Sequence, residues 1–184
     1  MHVARATDAP GPLPALGLAR TSLTVSGLSS GGFMAAQFEL AFSRSVKGAA
    51  IVAGGPYGCA GGSMMLAMFS CSCPYDAADP STSVLRLACE APSPALLAQR
   101  AMGTAAANKG LIDAIGNVKR HRVWLYSGDD DPVVNPKVVD GMAAFYNLAH
   151  VPPGAVQRVR GSKAGHGMPV AAHGDCSLTR TPYI

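Results

Sequence analysis

The sequence predicts an α/β fold: a mostly parallel sheet with helices on both faces, in a single domain spanning residues 1–184. Three observations carry this. Short apolar runs alternate with helical periodicities, an order that calls for crossover connections between parallel strands. Two of the runs, residues 48–53 and 123–126, are apolar at nearly every position, as strands covered on both faces are. Of the 184 residues, 48% are apolar and 14% charged, enough to bury a core and to exclude disorder of the whole chain. The 21 glycines and 14 prolines follow no Gly-x-y period, so collagen is excluded and many tight turns are implied.

In chain order, Leu23 and Val25 alternate with Thr24 and Ser26, which predicts a strand ended by the glycines of residues 27–32. A helical pattern follows through Phe33, Met34, Phe38 and Phe42. The compact segment 48–53 predicts a buried strand that stops at Gly54-Gly55-Pro56. A helix is predicted over residues 94–108, with proline near its start and Gly110 past its end. Residues 122–126 form a third strand. Asn135 is a suitable N-cap and Pro136 a suitable first residue for a helix that buries Val138, Val139, Met142, Ala143 and Tyr146. Residues 155–160 form a fourth strand. Residues 57–94 break the alternation, hold four of the five cysteines, and read as a Cys-rich insertion over the edge of the sheet.

Several function classes drop out. The longest apolar runs, residues 49–53 and 64–69, fall far short of the roughly 18–20 residues that cross a bilayer, so no membrane partner is expected. Residues 1–14 carry two charges and three prolines without a continuous apolar stretch, and do not read as an export signal. The net charge is +4, and the basic cluster Lys119-Arg120-His121-Arg122 lacks interleaved aromatics, so no nucleic-acid partner is expected. Nothing in the sequence sets an oligomeric state.

The chemistry starts at Gly27-Leu28-Ser29-Ser30-Gly31, a G-x-S-x-G pattern placed between a predicted strand and a predicted helix. A serine on so tight a turn sits in a strained conformation with its hydroxyl exposed, and its neighbours two before and two after must be small. A hydroxyl needs a base, and the base an orienting acid, later in the chain. Asp129, Asp130 and Asp131 follow the third strand. Asp131, just before Pro-Val, is the preferred acid, with Asp130 the runner-up and Asp129 left to solvent. A calcium loop is excluded, because counting from Asp129 the glycine at position six and the glutamate at position twelve are missing. Among five histidines, His121 lies at the wrong end of its strand and His150 near a helix C-terminus. His166, in Ala164-Gly165-His166-Gly167-Met168-Pro169, has glycines on both sides that let an imidazole reach toward Ser29. A metal pair of His166 and His173 is the rival, with no third ligand in sequence; no metal and no cofactor are expected.

In the order Ser29, Asp131, His166, the arrangement resembles an α/β-hydrolase. The stretches Thr24 to Met34, Val46-Lys47-Gly48, Ala53 to Tyr57, Ser127 to Val134, Ala164 to Pro169 and Ser177 to Ile184 are similar to the polyhydroxybutyrate depolymerase family. The resemblance implies a circularly permuted catalytic domain and cleavage of poly(3-hydroxyalkanoate) esters or oligomers through an acyl-serine, with no cofactor. It makes Ser29 the nucleophile, His166 the base, Asp131 the acid and the Ser30 backbone N–H one oxyanion donor. A second donor, expected from a His-Gly-Cys type segment, has no match. The alternatives are a small-ester or feruloyl esterase, an inactive fragment, or a polymer-binding module without chemistry.

Cys59, Cys71, Cys73 and Cys89 allow three two-bridge connectivities, and the resemblance favours Cys59 with Cys71 or Cys73. Their spacing makes no C-x-x-C pair for zinc. With such a pairing an extracellular or periplasmic location is expected, the alternative being buried reduced thiols in a cytosolic enzyme. Met64, Met65, Met68 and Phe69 are either an apolar rim that adsorbs to polyester or core. Open sheet edges, the missing donor and an unpaired Cys176 lead to the expectation of a C-terminally incomplete domain that continues past Ile184.

Overall fold

Strands Leu23–Leu28 (β1), Val46–Val52 (β2), Arg122–Gly128 (β3) and Val156–Gly161 (β4) form one parallel sheet in spatial order β1-β2-β3-β4. The computed structural model describes residues 22–74, 93–161 and 163–168, with Pro14, Ala15 and Gly17. His173, Cys89, Cys176, the 177–184 stretch and residues 75–92 of the expected insertion lie outside the described residues. All four predicted strands are present. The first is longer than expected: β1 runs through Gly27 to Leu28, and the turn to the helix is Ser29 alone.

Among the described residues, three long helices join the strands: Ser30–Ala41 (α1), Pro94–Ala107 (α2) and Pro136–Leu148 (α3). Their starts follow from local chemistry. Asn135 Oδ1 accepts from the Lys137 N–H at 2.9 Å with Pro136 behind it, and Ser93 Oγ accepts from the Leu96 N–H at 3.2 Å ahead of Pro94.

The main core joins Ala35, Ala36 and Leu40 of α1, Ala98, Ala101 and Ala105 of α2, and Val139, Met142 and Phe145 of α3 to Ala49, Ile51, Val123 and Leu125 of the sheet. Register pairs Ala49 with Val123 and Ile51 with Leu125, so these strand residues share one face. All three helices therefore pack on that face. The expected helices on both faces are not seen among the described residues: pleat alternation puts Ser26, Ala50 and Trp124 on the opposite face, where Trp124 is only half-buried. A second cluster, with Val52, Ala53, Leu97, Tyr126, Val134 and Val138, closes the C-terminal ends of β2 and β3.

The face of α1 also differs from its apolar pattern. Met34, Phe38 and Phe42 are exposed at 64%, 38% and 52%, while Gly32, Ala35, Ala36, Glu39 and Leu40 are buried. Small residues let the helix sit close on β1 and β2. Glu39 is buried because it has partners. Its Oε1 lies 2.8 Å from His121 Nδ1, and its Oε2 accepts from the Tyr146 hydroxyl. His121 Nε2 lies 3.0 Å from the Ser43 carbonyl, which can only accept, so Nε2 carries hydrogen and one proton is shared between Nδ1 and Oε1. Among the described residues, no helix is long and apolar enough to cross a membrane.

Candidate active site

Ser29 occupies the one-residue turn between β1 and α1 with φ 56° and ψ −123°, a conformation that costs a non-glycine residue on the order of 1–3 kcal/mol. The surroundings hold it there. Its N–H donates to the Val52 carbonyl at 2.9 Å, and its own carbonyl accepts from the Phe33 N–H at 2.9 Å. A Cβ on Gly27 would lie 2.2 Å from the Gly31 backbone, and one on Gly32 would lie 2.7 Å from the Val52 carbonyl oxygen. A Cβ on Gly31 would meet nothing within 4 Å, so the need for a small residue after Ser29 falls on Gly32 rather than on Gly31. Ser30 opens α1 and is exposed, among the first-turn N–H groups that an α-helix leaves without an internal partner.

Asp131 lies in the loop between β3 and α3. It is buried, and its Oδ1 accepts from the Val133 N–H at 2.8 Å and the Val134 N–H at 2.9 Å. Aspartate followed by open N–H groups two and three residues on is a local turn motif. That motif is the sequence signal separating Asp131 from its two neighbours. Asp130 is exposed, whereas Asp129 is not simply solvated as expected: its carboxylate receives Arg160 Nε at 2.8 Å.

His166 follows β4 and is likewise buried, with Nδ1 2.9 Å from Asp131 Oδ2 and 3.1 Å from Oδ1. Two backbone bonds stitch the loops together, Asp129 N–H to the Gly161 carbonyl at 2.9 Å and Asp130 N–H to the Ala164 carbonyl at 3.0 Å. Gly128 permits this approach, since a Cβ there would lie 2.0 Å from the Ala164 oxygen. The structure thus brings Asp131 and His166 together. It does not join Ser29 to them: no hydrogen bond links its hydroxyl to the His166 ring.

Beside Ser29 opens a cavity of about 650 Å³, lined by Phe33, Met34 and Gln37 of α1, the 57–62 turn, Met68, Cys71 and Ser72, Thr104 of α2 and Asn108 at its C-terminal cap, and Val133 and Val134. Among the described residues, none of its lining side chains is charged. Cys59 and Cys71 form a disulfide, the first of the two pairings the resemblance favours, and Cys73 is buried. Met64, Met65 and Met68 are exposed at 77%, 64% and 39% while Phe69 is half-buried, so the methionines are surface rather than core. The lining role of Phe33, Met34 and Gln37 is not among the sequence expectations; their spacing along one helix face is the signal for it. Among the described residues, no group of three His, Cys, Asp or Glu could hold a metal ion.

No protein-family model matches the chain. It is 37% identical over 174 residues to the poly(3-hydroxybutyrate) depolymerase of Delftia acidovorans, covering 94% of this chain and 32% of that protein. It is 31% identical over 181 residues to the polyhydroxybutyrate depolymerase of Talaromyces funiculosus, covering 94% of this chain and 46% of that one. The crystal structure of the PHB depolymerase from Penicillium funiculosum matches with a TM-score of 0.66 at 26% identity, over 95% of this chain and 49% of that one. A serine-to-alanine PHB depolymerase complexed with an R3HB trimer matches with a TM-score of 0.68 at 26% identity, over the same shares. The chain spans a third to a half of the length of these relatives. With an α/β-hydrolase-like parallel sheet and this similarity along nearly its whole length, the chain belongs to the polyhydroxybutyrate depolymerase family.

Proposed function

We propose that the chain carries the catalytic serine, histidine and aspartate of a serine ester hydrolase acting on poly(3-hydroxybutyrate)-type polyesters or their oligomers. The observation that carries this reading is the buried Asp131 carboxylate set against His166 Nδ1. Donation of the Nδ1 hydrogen to Asp131 fixes the tautomer and leaves the lone pair on Nε2, where a base is needed. Ser29 Oγ attacks the ester carbonyl as Nε2 takes its proton, giving a tetrahedral oxyanion that the Ser30 N–H at the head of α1 stabilises. The imidazolium, steadied by Asp131, protonates the leaving alkoxide and an acyl-serine remains. Water, deprotonated by His166, then releases the hydroxy acid and restores the serine.

The Ser29-to-His166 hydrogen bond forms in this scheme only on substrate binding, as catalytic hydrogen bonds often tighten in the Michaelis complex. The described lining of the cavity, uncharged and largely apolar, suits a neutral ester chain and disfavours a buried carboxylate. The solved relative complexed with an R3HB trimer supports the same substrate class. The Cys59–Cys71 disulfide supports an extracellular or periplasmic location, and Met64, Met65 and Met68 offer an apolar rim for a polymer surface.

The test combines a fluorophosphonate probe with turnover of 4-nitrophenyl butyrate and (R)-3-hydroxybutyrate oligomers. The protein should label and turn over, and Ser29→Ala should do neither while keeping its circular dichroism spectrum. Turnover retained by Ser29→Ala, or an unlabelled parent chain, overturns the reading.

A further inference from the structure

We propose that Ser72 is a positioning residue, carrying the constraint of the Cys59–Cys71 disulfide into the loop that holds Asp131; this rests on Asp131 being the triad acid. The direction of that carboxylate is set by the Val133 and Val134 N–H groups it accepts from, so it is only as fixed as the backbone of residues 133–134. That backbone is gripped from outside at two points. Ser72 Oγ donates to the Val133 carbonyl at 3.1 Å, and the Asn135 N–H donates to the Ser72 carbonyl at 2.8 Å. These two bonds bracket Val134. Among the described residues, no other residue outside the loop and its own helix hydrogen-bonds to residues 132–135.

Ser72 is itself held by its neighbour. Cys71 is 2% exposed and is bonded to Cys59 in the turn that forms the far side of the cavity. A continuous chain of bonds therefore runs from Cys59 through Cys71 and Ser72 to Val133, then to Asp131 and His166. Cys73, on the other side of Ser72, is also buried, so the segment is pinned on both sides of the hydroxyl. The Cys-rich segment thus does more than wall the cavity: it is the outer support of the acid.

Because catalysis is sensitive to displacements of about 1 Å, worth up to about a hundredfold, a loosened carboxylate should lower kcat with little effect on KM for a small ester. For 4-nitrophenyl acetate, Ser72→Ala, which loses one of the two bonds, should lower kcat about three- to tenfold with KM within about twofold. Ser72→Thr, which keeps the hydroxyl, should restore most of it. Cys59→Ala/Cys71→Ala should lower kcat by a larger factor, and adding Ser72→Ala to that background should cost less than about twofold more, the non-additivity expected of coupled residues. Because Ser72 is partly exposed, its variants keep the proposal testable even if the cysteine pair fails to fold. Wild-type kcat in Ser72→Ala, no recovery in Ser72→Thr, or full additivity overturns the proposal, provided Asp131→Asn is inactive. If Asp131→Asn is fully active, the triad reading fails and this proposal fails with it.

Discussion

Replacing Glu39 with leucine removes the acceptor of a trio that is nearly water-free: Glu39, His121 and Tyr146 are each 1% exposed. Two groups lose their partner, His121 Nδ1 and the Tyr146 hydroxyl. An unpaired buried donor costs about 1–3 kcal/mol, and removing one side of a buried charge pair about 3–5 kcal/mol, so a loss near 4 kcal/mol is expected. At about 2–4 °C per kcal/mol for a chain of this size, Tm should fall by roughly 8–16 °C. Tyr146→Phe removes a single donor to a carboxylate and should cost about 1.5–3 kcal/mol. Urea denaturation followed by tryptophan fluorescence, with equal slopes for all variants, measures these differences. The Tyr146 hydroxyl is held well above its ordinary value, first by burial and then by the charge of Glu39. The folded chain therefore keeps a proton that the unfolded chain releases above about pH 10, and stability falls as pH rises past that point. This alkaline slope should be weaker in Tyr146→Phe. A Glu39→Leu protein within about 1 kcal/mol of its parent would refute the reasoning.

Three further outcomes can be checked. Asp131→Asn should lower kcat about a thousandfold or more through the wrong histidine tautomer, while Asp130→Asn, at an exposed side chain, should leave 4-nitrophenyl butyrate turnover unchanged; the reverse result would move the acid by one residue. Gly32→Ala should destabilise the chain and suppress fluorophosphonate labelling because its Cβ strikes the Val52 carbonyl, whereas Gly31→Ala, in open space on the helix, should be neutral or gain about 0.5–1 kcal/mol in thermal denaturation. Serine at Met64 and Met65, which lie outside the cavity lining, should weaken sedimentation with polyester granules and spare soluble-ester turnover; loss of both would mean that these side chains matter to the fold.

Elements whose signal is local were legible in the sequence. The Asn135-Pro136 start of α3 needs only its own turn, and the apolar runs in β2 and β3 stand out because the centre of a parallel sheet excludes polar residues. The face of α1 was not legible, because its tight packing favours alanine and glycine inside, leaving Met34, Phe38 and Phe42 to mimic a core stripe on the outside. His121 stands just before the start of its strand, away from the catalytic loops. Its partners Glu39 and Tyr146 are remote in sequence, so nothing nearby reveals a buried ionic trio. At the site, the G-x-S-x-G spacing located the strained turn, and the D-P-V-V stretch contained the carboxylate that folds back onto its own backbone. The support from Ser72 crosses the chain from a segment with no period of its own, and only the folded arrangement reveals it.

The match between chain order and spatial order in the sheet bears on how the protein is made. During synthesis each new strand has its docking edge already waiting, and the sheet can grow in one direction behind the ribosome. The intervals are uneven. After β2 emerges, roughly seventy residues must follow before β3 can cover its second edge, the costliest loop closure in the sheet. Cys59 and Cys71 both lie early in that interval, so an oxidising compartment can join them while the edge of β2 is still bare. The frame that later receives the acid loop can thus be cross-linked before the acid has been translated, and the nascent chain has no assembled Asp131–His166 pair until its last described loop is in place.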